Sequence, residues 1–192
     1  MIGVIVGNGP SLNQVPIAFL RKYQTIGSNL IYLHDRFTPT FYTAVDNRGL
    51  PSKYAERISE MRCIKVVSER VGRIGIKGAL VLDTKGKCLF SKNLFRQPLN
   101  EGWNILYVNL QLAYYLNWQT VLLVGCDWTM GEPDSHFHPD YTQKTYTFNQ
   151  APVLPYLRAA RTIYERAGRK IINLTPDSKL TVYEQGELGD WL

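Results

Sequence analysis

The sequence is short of the residues that most often announce a function. It holds three histidines and three cysteines among 192 residues, and it lacks any run of about 18 apolar residues, the length a membrane-spanning helix needs. Cys63, Cys88 and Cys126 are far apart, odd in number and set in apolar runs. That pattern argues against a disulfide framework or a zinc site and fits buried thiols in a reducing compartment. No basic leader with a cleavage site opens the chain, so a cytoplasmic protein without a transmembrane segment is expected. Internal repeats, linkers and low-complexity segments are also missing, which makes 1–192 a single domain. No stacking motif or recognition-helix pattern points to nucleic acid.

Acidic residues are scarce in one half only. Residues 1–100 carry 15 Lys+Arg against 6 Asp+Glu, and residues 101–192 carry 7 against 10, within a net charge of +6. The basic excess lies between Arg57 and Arg96. It suits an anionic partner such as a nucleotide, a phosphorylated glycan or, peripherally, an anionic membrane surface.

What is present starts with Met1-Ile2-Gly3-Val4-Ile5-Val6-Gly7-Asn8-Gly9-Pro10-Ser11-Leu12. An uninterrupted apolar run reads as a buried parallel strand, two glycines permit a sharp turn, and Pro10 suits the first position of a helix. The free N–H groups at such a helix start attract an anion, most often a phosphate, which nominates Gly7, Asn8, Gly9, Pro10 and Ser11 as nucleotide-binding. Leu12 occupies the third position of the dinucleotide fingerprint, and no acidic residue stands about 20 positions on, so an NAD enzyme is not expected.

Further apolar runs predict strands around Gln24 to Gly27, Phe41 to Val45, Cys63 to Val67, Thr120 to Gly125 and Lys170 to Leu174. Helices are predicted between Leu12 and Lys22, from Pro51, over Asn104 to Trp118 and over Val153 to Ala167. The Asn104–Trp118 run is uncharged, so it is buried either in the domain or at a contact between copies, a hint of homo-oligomerisation. Ala79 to Leu82 and Cys88 to Phe90, about the turn from Asp83 to Lys87, read as an inserted basic β-hairpin. The tail from Val182 reads as a terminal arm that Trp191 docks. The fold expected is α/β: a Rossmann-like, mostly parallel sheet with helices on both faces.

Polar residues recur just past strand ends, where open parallel sheets bind ligands. Asn8, Asn29 and Asp46 are expected to line one crevice, and Asn104 is added to this nucleotide-binding set. His136 and His138 share one loop after the strand that ends at Asp127, so one of them is the expected general base, with Asp127 beside it. A competing use of His136, His138, Asp127, Asp134 and Asp140 is as mixed nitrogen and oxygen ligands for a transition metal.

The segment Val4 to Leu12 resembles the opening motif of the bacterial lipooligosaccharide sialyltransferases and of a family of 6-hydroxymethylpterin diphosphokinase-like proteins. Thr43-Ala44-Val45-Asp46 is similar to a strand end of the second family, Leu123 to Asp127 to a Gly-x-Asp strand end of both, and Asn173 to Ser178 to a shared C-terminal strand end. Ser135-His136-Phe137-His138 resembles the region of the sialyltransferases' catalytic histidine. The first resemblance implies transfer from a CMP-linked sugar to a glycan or small-molecule hydroxyl. There Gly7, Asn8, Gly9, Asn29 and Asp46 would hold the nucleotide, His136 or His138 would take the proton, and no metal or other cofactor would be needed. The second implies an ATP-dependent diphosphokinase with Mg²⁺ on Asp46 and Asp127. A third possibility is a nucleotide-binding module without catalysis.

Overall fold

Branched and aromatic residues dominate the short runs that become strands, and their side chains alternate between two buried layers. The computed structural model describes residues 1–46, 54–86, 88–94, 96–129, 135–140 and 151–192. In chain order these form β1 (Ile2–Val6), a 3-10 turn (Pro10–Gln14), α1 (Ile17–Lys22), β2 (Gln24–Ser28), a second 3-10 turn (Asn29–Leu33) and β3 (Phe41–Ala44). There follow α2 (Ala55–Glu60), β4 (Ile64–Ser68), α3 (Glu69–Gly72), β5 (Ala79–Leu82), α4 (Ile105–Tyr115), β6 (Thr120–Val124), α5 (Leu154–Arg166), β7 (Lys170–Asn173), β8 (Glu184–Gln185) and a last 3-10 turn (Leu188–Trp191).

The eight strands make one sheet in the order β5-β4-β3-β2-β1-β6-β7-β8, with every neighbouring pair parallel. The chain steps outward from β1 to β5, crosses back through α4, and steps outward again on the other side of β1. Right-handed crossovers then put the connections of the two halves on opposite faces. One layer gathers Val4, Val6, Phe19, Leu20, Ile58 and Val71 from β1, α1, α2 and α3. The other gathers Ile5, Leu123, Leu106, Leu110, Leu157 and Ala160 from β1, β6, α4 and α5. The α/β sheet covered on both faces therefore stands, with a fully parallel ladder among the described residues.

The inserted hairpin does not form. Ala79–Leu82 pairs in parallel with β4, Val66 lying beside Leu80, while Cys88 to Phe90 is in bends rather than a strand. Among the described residues, an isolated antiparallel bridge joins Lys85 to Asn100. The crossover that makes this possible is α3, a one-turn helix started by Ser68, whose Oγ accepts from Val71 N. The terminal arm contributes more than a docking residue: β8 extends the sheet beside β7, and Tyr23 Oη donates to the Trp191 carbonyl at 3.2 Å.

Helix α4 is buried from Leu106 to Ala113 within the domain, so its uncharged surface needs no second copy to cover it. Its two buried amides are satisfied internally. Asn109 Oδ1 accepts from Thr43 Oγ1 at 2.6 Å, and Gln111 Oε1 accepts from Ser91 N and Asn100 N. No helix among the described residues is long and apolar enough to cross a membrane.

Trp118, fully buried at the end of the α4 crossover, lies so close to β1 that a Cβ at Gly3 would meet its indole at 2.3 Å. The rigid ring cannot fold aside within a packed layer. Gly3→Ala is therefore expected to destabilise the protein by about 1–3 kcal/mol, whereas Gly189→Ala, with open space around it, stays within about 0.5 kcal/mol. Urea unfolding of both variants checks this; equal midpoints would refute the packing assigned to Trp118.

Candidate functional site

Strand order reverses between β1 and β6, and the crevice outside the carboxyl ends of such strands is where open parallel sheets take ligands. Here the two turns interlock. Gly7 N donates to the Val124 carbonyl and Gly9 N to the Gly125 carbonyl, both at 2.8 Å. A Cβ at Gly7 would sit 2.2 Å from the Gly125 oxygen, and one at Gly9 would sit 1.9 Å from Asp127 Oδ2. Gly7 is thus required by backbone contact between the turns after β1 and β6, and Gly9 by the Asp127 carboxylate together with the Gly125 oxygen at 2.9 Å.

The start of the 3-10 turn at Pro10 does attract an anion, and that anion is internal. Ser11 donates through its backbone N to Asp127 Oδ1 at 3.1 Å and through its hydroxyl to Asp127 Oδ2 at 2.8 Å. The element expected as a helix from Leu12 is first a five-residue 3-10 turn, Pro10–Gln14, and a carboxylate of the same chain holds Ser11 within it. Gly7, Gly9, Pro10, Ser11 and Asp127 form the frame of the crevice. Cys126, alongside, has its thiol pushed up to about 12 by burial, with the neighbouring Asp127 adding to it, so it stays protonated and inert.

Asn8 is held differently. Its Nδ2 donates to the Ser28 carbonyl at 3.0 Å, tying the end of β1 to the end of β2. Its Oδ1 is buried and has no hydrogen-bond partner among the described residues. Leaving a buried carbonyl oxygen unpaired costs about 1–3 kcal/mol, a cost that a ligand donor would remove. Asn29 follows β2 in the left-handed region at φ 54, and its carbonyl accepts from Tyr42 Oη at 2.9 Å. Asp46 lies two residues beyond β3, half-buried. The three strand ends are neighbours in the sheet order, so the structure brings Asn8, Asn29 and Asp46 to one edge. Asn104 has a structural duty instead: its Oδ1 accepts from Leu106 N at 2.8 Å and caps α4.

The loop after β6 returns over this edge. Phe137 N donates to the Asn8 carbonyl, and the Phe137 carbonyl accepts from Asn13 Nδ2, both at 2.9 Å. His136 is therefore adjacent to the Asn8 turn, with its Nδ1 3.0 Å from Ser135 Oγ. Burial pushes its imidazole down to about 4, so it is neutral at physiological pH. His138 is half-buried as well, with 31% of its side chain exposed, and its Nδ1 accepts from Asp140 N at 3.1 Å. His34, only 7% exposed, stacks on Phe137 with ring centroids 5.8 Å apart. Sequence reasoning did not place His34 here because 102 positions separate it from His136; only the fold unites them. Asp134 lies outside the described residues, and no cluster of three or more His, Cys, Asp or Glu able to hold a metal occurs among those described. A separate groove of about 800 Å³ runs along the opposite, amino edge, between Arg21, Tyr23, Arg36, Thr38 and Thr40.

A histidine whose folded pKa is depressed binds fewer protons folded than unfolded. Stability is then complete above the ordinary value near 6.5 and is lost as pH falls toward about 4. His34 is shifted down as well, by burial against the opposing pull of Asp35, and adds to the same loss. His136→Asn is expected to flatten part of the fall in melting temperature between those two values, and an unchanged profile would contradict the burial of His136. Comparisons of the chain with protein-family models, with curated proteins and with solved structures returned no match.

Proposed function

We propose that the protein is a nucleotide-dependent transferase that moves a sugar from a CMP-linked donor to an acceptor hydroxyl, with His136 as the general base. The observation that carries this reading is an unsatisfied buried Asn8 Oδ1 at the topological switch point, with half-buried His136 in the loop that Phe137 N bonds to the Asn8 carbonyl. An empty acceptor at the strand end supports a ligand donor there, such as a ribose hydroxyl or a base amino group. Asn29 and Asp46 extend the same polar edge toward β3. Three free thiols fit a reducing, cytoplasmic setting.

In the reaction the acceptor oxygen attacks the anomeric carbon, the bond from that carbon to the CMP phosphate oxygen breaks, and the departing phosphate keeps the electron pair. The acceptor hydroxyl grows acidic as its new bond forms, and its proton passes to His136. His136 is taken as the base because Phe137 N bonds its loop to the Asn8 turn and His138 Nδ1 is already engaged by Asp140 N. The diphosphokinase alternative would place Mg²⁺ on Asp46 and Asp127, yet both oxygens of Asp127 are engaged by Ser11. That engagement favours metal-independent transfer.

Two measurements test the proposal. CMP at about 100 times its dissociation constant, without Mg²⁺, is expected to raise the melting temperature by the equivalent of roughly 2.7 kcal/mol; a shift seen only with ATP and Mg²⁺ would favour the diphosphokinase. His136→Gln is expected to lower CMP release from CMP-linked sugars, with glycan acceptors present, by roughly 10²-fold or more while leaving the CMP shift intact. His138→Gln should retain most activity, and the reverse ranking would refute the assignment of the base.

A further inference from the structure

Two exposed apolar side chains sit side by side on β5. Leu80 and Val81 are 59% and 52% exposed, and as consecutive strand positions they lie on opposite faces of the sheet. Ala79 packs on the layer that holds α1, α2 and α3, and Leu82 on the layer of α4 and α5. Both layers therefore end in bare apolar surface at this strand.

Its backbone is open as well. Strand β5 ends the sheet order, its ladder runs to β4, and no other backbone hydrogen bond reaches 79–82 among the described residues. Alternate residues of a strand turn their N–H and C=O groups to either side, so half of those on β5 face away from β4. Natural sheets guard such an edge with charge, proline or a bulge. Ala79-Leu80-Val81-Leu82 has no charge and no proline, and its register with β4 is unbroken. The opposite edge is guarded: β8 is Glu184–Gln185, two polar residues, both exposed.

The chain on either side of β5 carries opposite charges. Arg73 and Lys77 precede it and Asp83 follows it directly, all three exposed, and none of them makes an ion pair among the described residues. Lys85, farther on, is paired with Glu69 at 3.1 Å. A strand that is positive at its amino end, negative at its carboxyl end and apolar between complements a copy of itself turned end for end. An acidic peptide would answer Arg73 and Lys77 but oppose Asp83 with like charge. A lipid surface would leave the outward N–H and C=O groups unpaired in an apolar medium. A second copy answers the backbone, the apolar pair and both charged ends together.

We propose that β5 is a self-association edge, which pairs antiparallel with β5 of a second copy about a two-fold axis at Leu80. Leu80 meets its counterpart across the axis, Ala79 of each copy faces Val81 of the other, and the Lys77 end of each lies against the Asp83 end of the other. The two eight-stranded sheets become one. Exposed charges of this kind set register more than strength. A four-residue strand is well below the roughly 20–30 residues a side of a stable interface, so the dimer is weak and reversible. Four strand spacings, roughly 19 Å, separate β5 from β1, so the pairing leaves the carboxyl-edge crevice at β1 free and does not depend on the nucleotide reading.

The test is sedimentation of the full-length protein from micromolar to millimolar concentration, with deuterium exchange of the β5 amides at both ends of that range. The proposal expects a reversible shift from monomer to dimer that stops at the dimer, and slower exchange within 79–82 at the higher concentration. Leu80→Lys is expected to weaken the dimer by roughly tenfold or more with an unchanged melting temperature. Lys77→Asp and Asp83→Lys should each weaken it, and the two together should restore it. A monomer throughout the range, growth past the dimer, or a dimer whose β5 amides exchange as fast as in the monomer would overturn the proposal. So would a dimer indifferent to Leu80→Lys, or a double variant no tighter than either single one.

Discussion

The backbone contact between the turns that leave β1 and β6 is the constraint on which the site depends. Gly7 and Gly9 donate to the carbonyls of Val124 and Gly125, with no room for a side chain at either glycine. Gly125, in the left-handed region at φ 65, closes the second turn against the first. Asp127 completes the joint by holding Ser11 at both carboxylate oxygens. Because the sheet reverses direction of growth here, this joint also fixes which loops leave toward which face. Everything proposed to touch a ligand hangs from it: Asn8 between the glycines, the Phe137 loop bonded to the Asn8 carbonyl, and His136 beside it.

The same joint explains how the site can tolerate unfavourable features. An unpaired buried oxygen on Asn8 and a left-handed Asn29 each cost stability. They persist because the core on both sides of the sheet is closely packed, from Trp118 against Gly3 to Tyr164, whose hydroxyl donates to the Leu110 carbonyl at 2.7 Å.

Much of this was legible in the sequence, and the misses have physical causes. Buried parallel strands are near-continuous apolar runs, which is why β1, β3, β4, β6 and β7 could be located from composition alone. The run Ala79–Leu82 was equally visible as a strand, but pairing direction depends on the crossover, and α3 is a single turn with no periodicity to reveal it. The glycines of the opening turn stand out in the sequence, but the anion at Ser11 does not: a phosphate and a carboxylate answer the same N–H group, and Asp127 is 116 positions from Ser11. Asn104 carried a capping signal indistinguishable by type from a ligand contact. His34 carried no local signal, since its place is defined by stacking on a distant Phe137.

The central claim is that a nucleotide occupies the carboxyl edge between β1 and β3. Backbone amide chemical shifts of the isotope-labelled protein, recorded as CMP is added, test it most directly. The account predicts that the largest changes fall on Asn8, Asn29, Asp46 and His136, with Arg21, Arg36 and Thr38 at the amino edge unmoved. Changes centred on Arg21, Arg36 and Thr38, in the groove at that opposite edge, would contradict it.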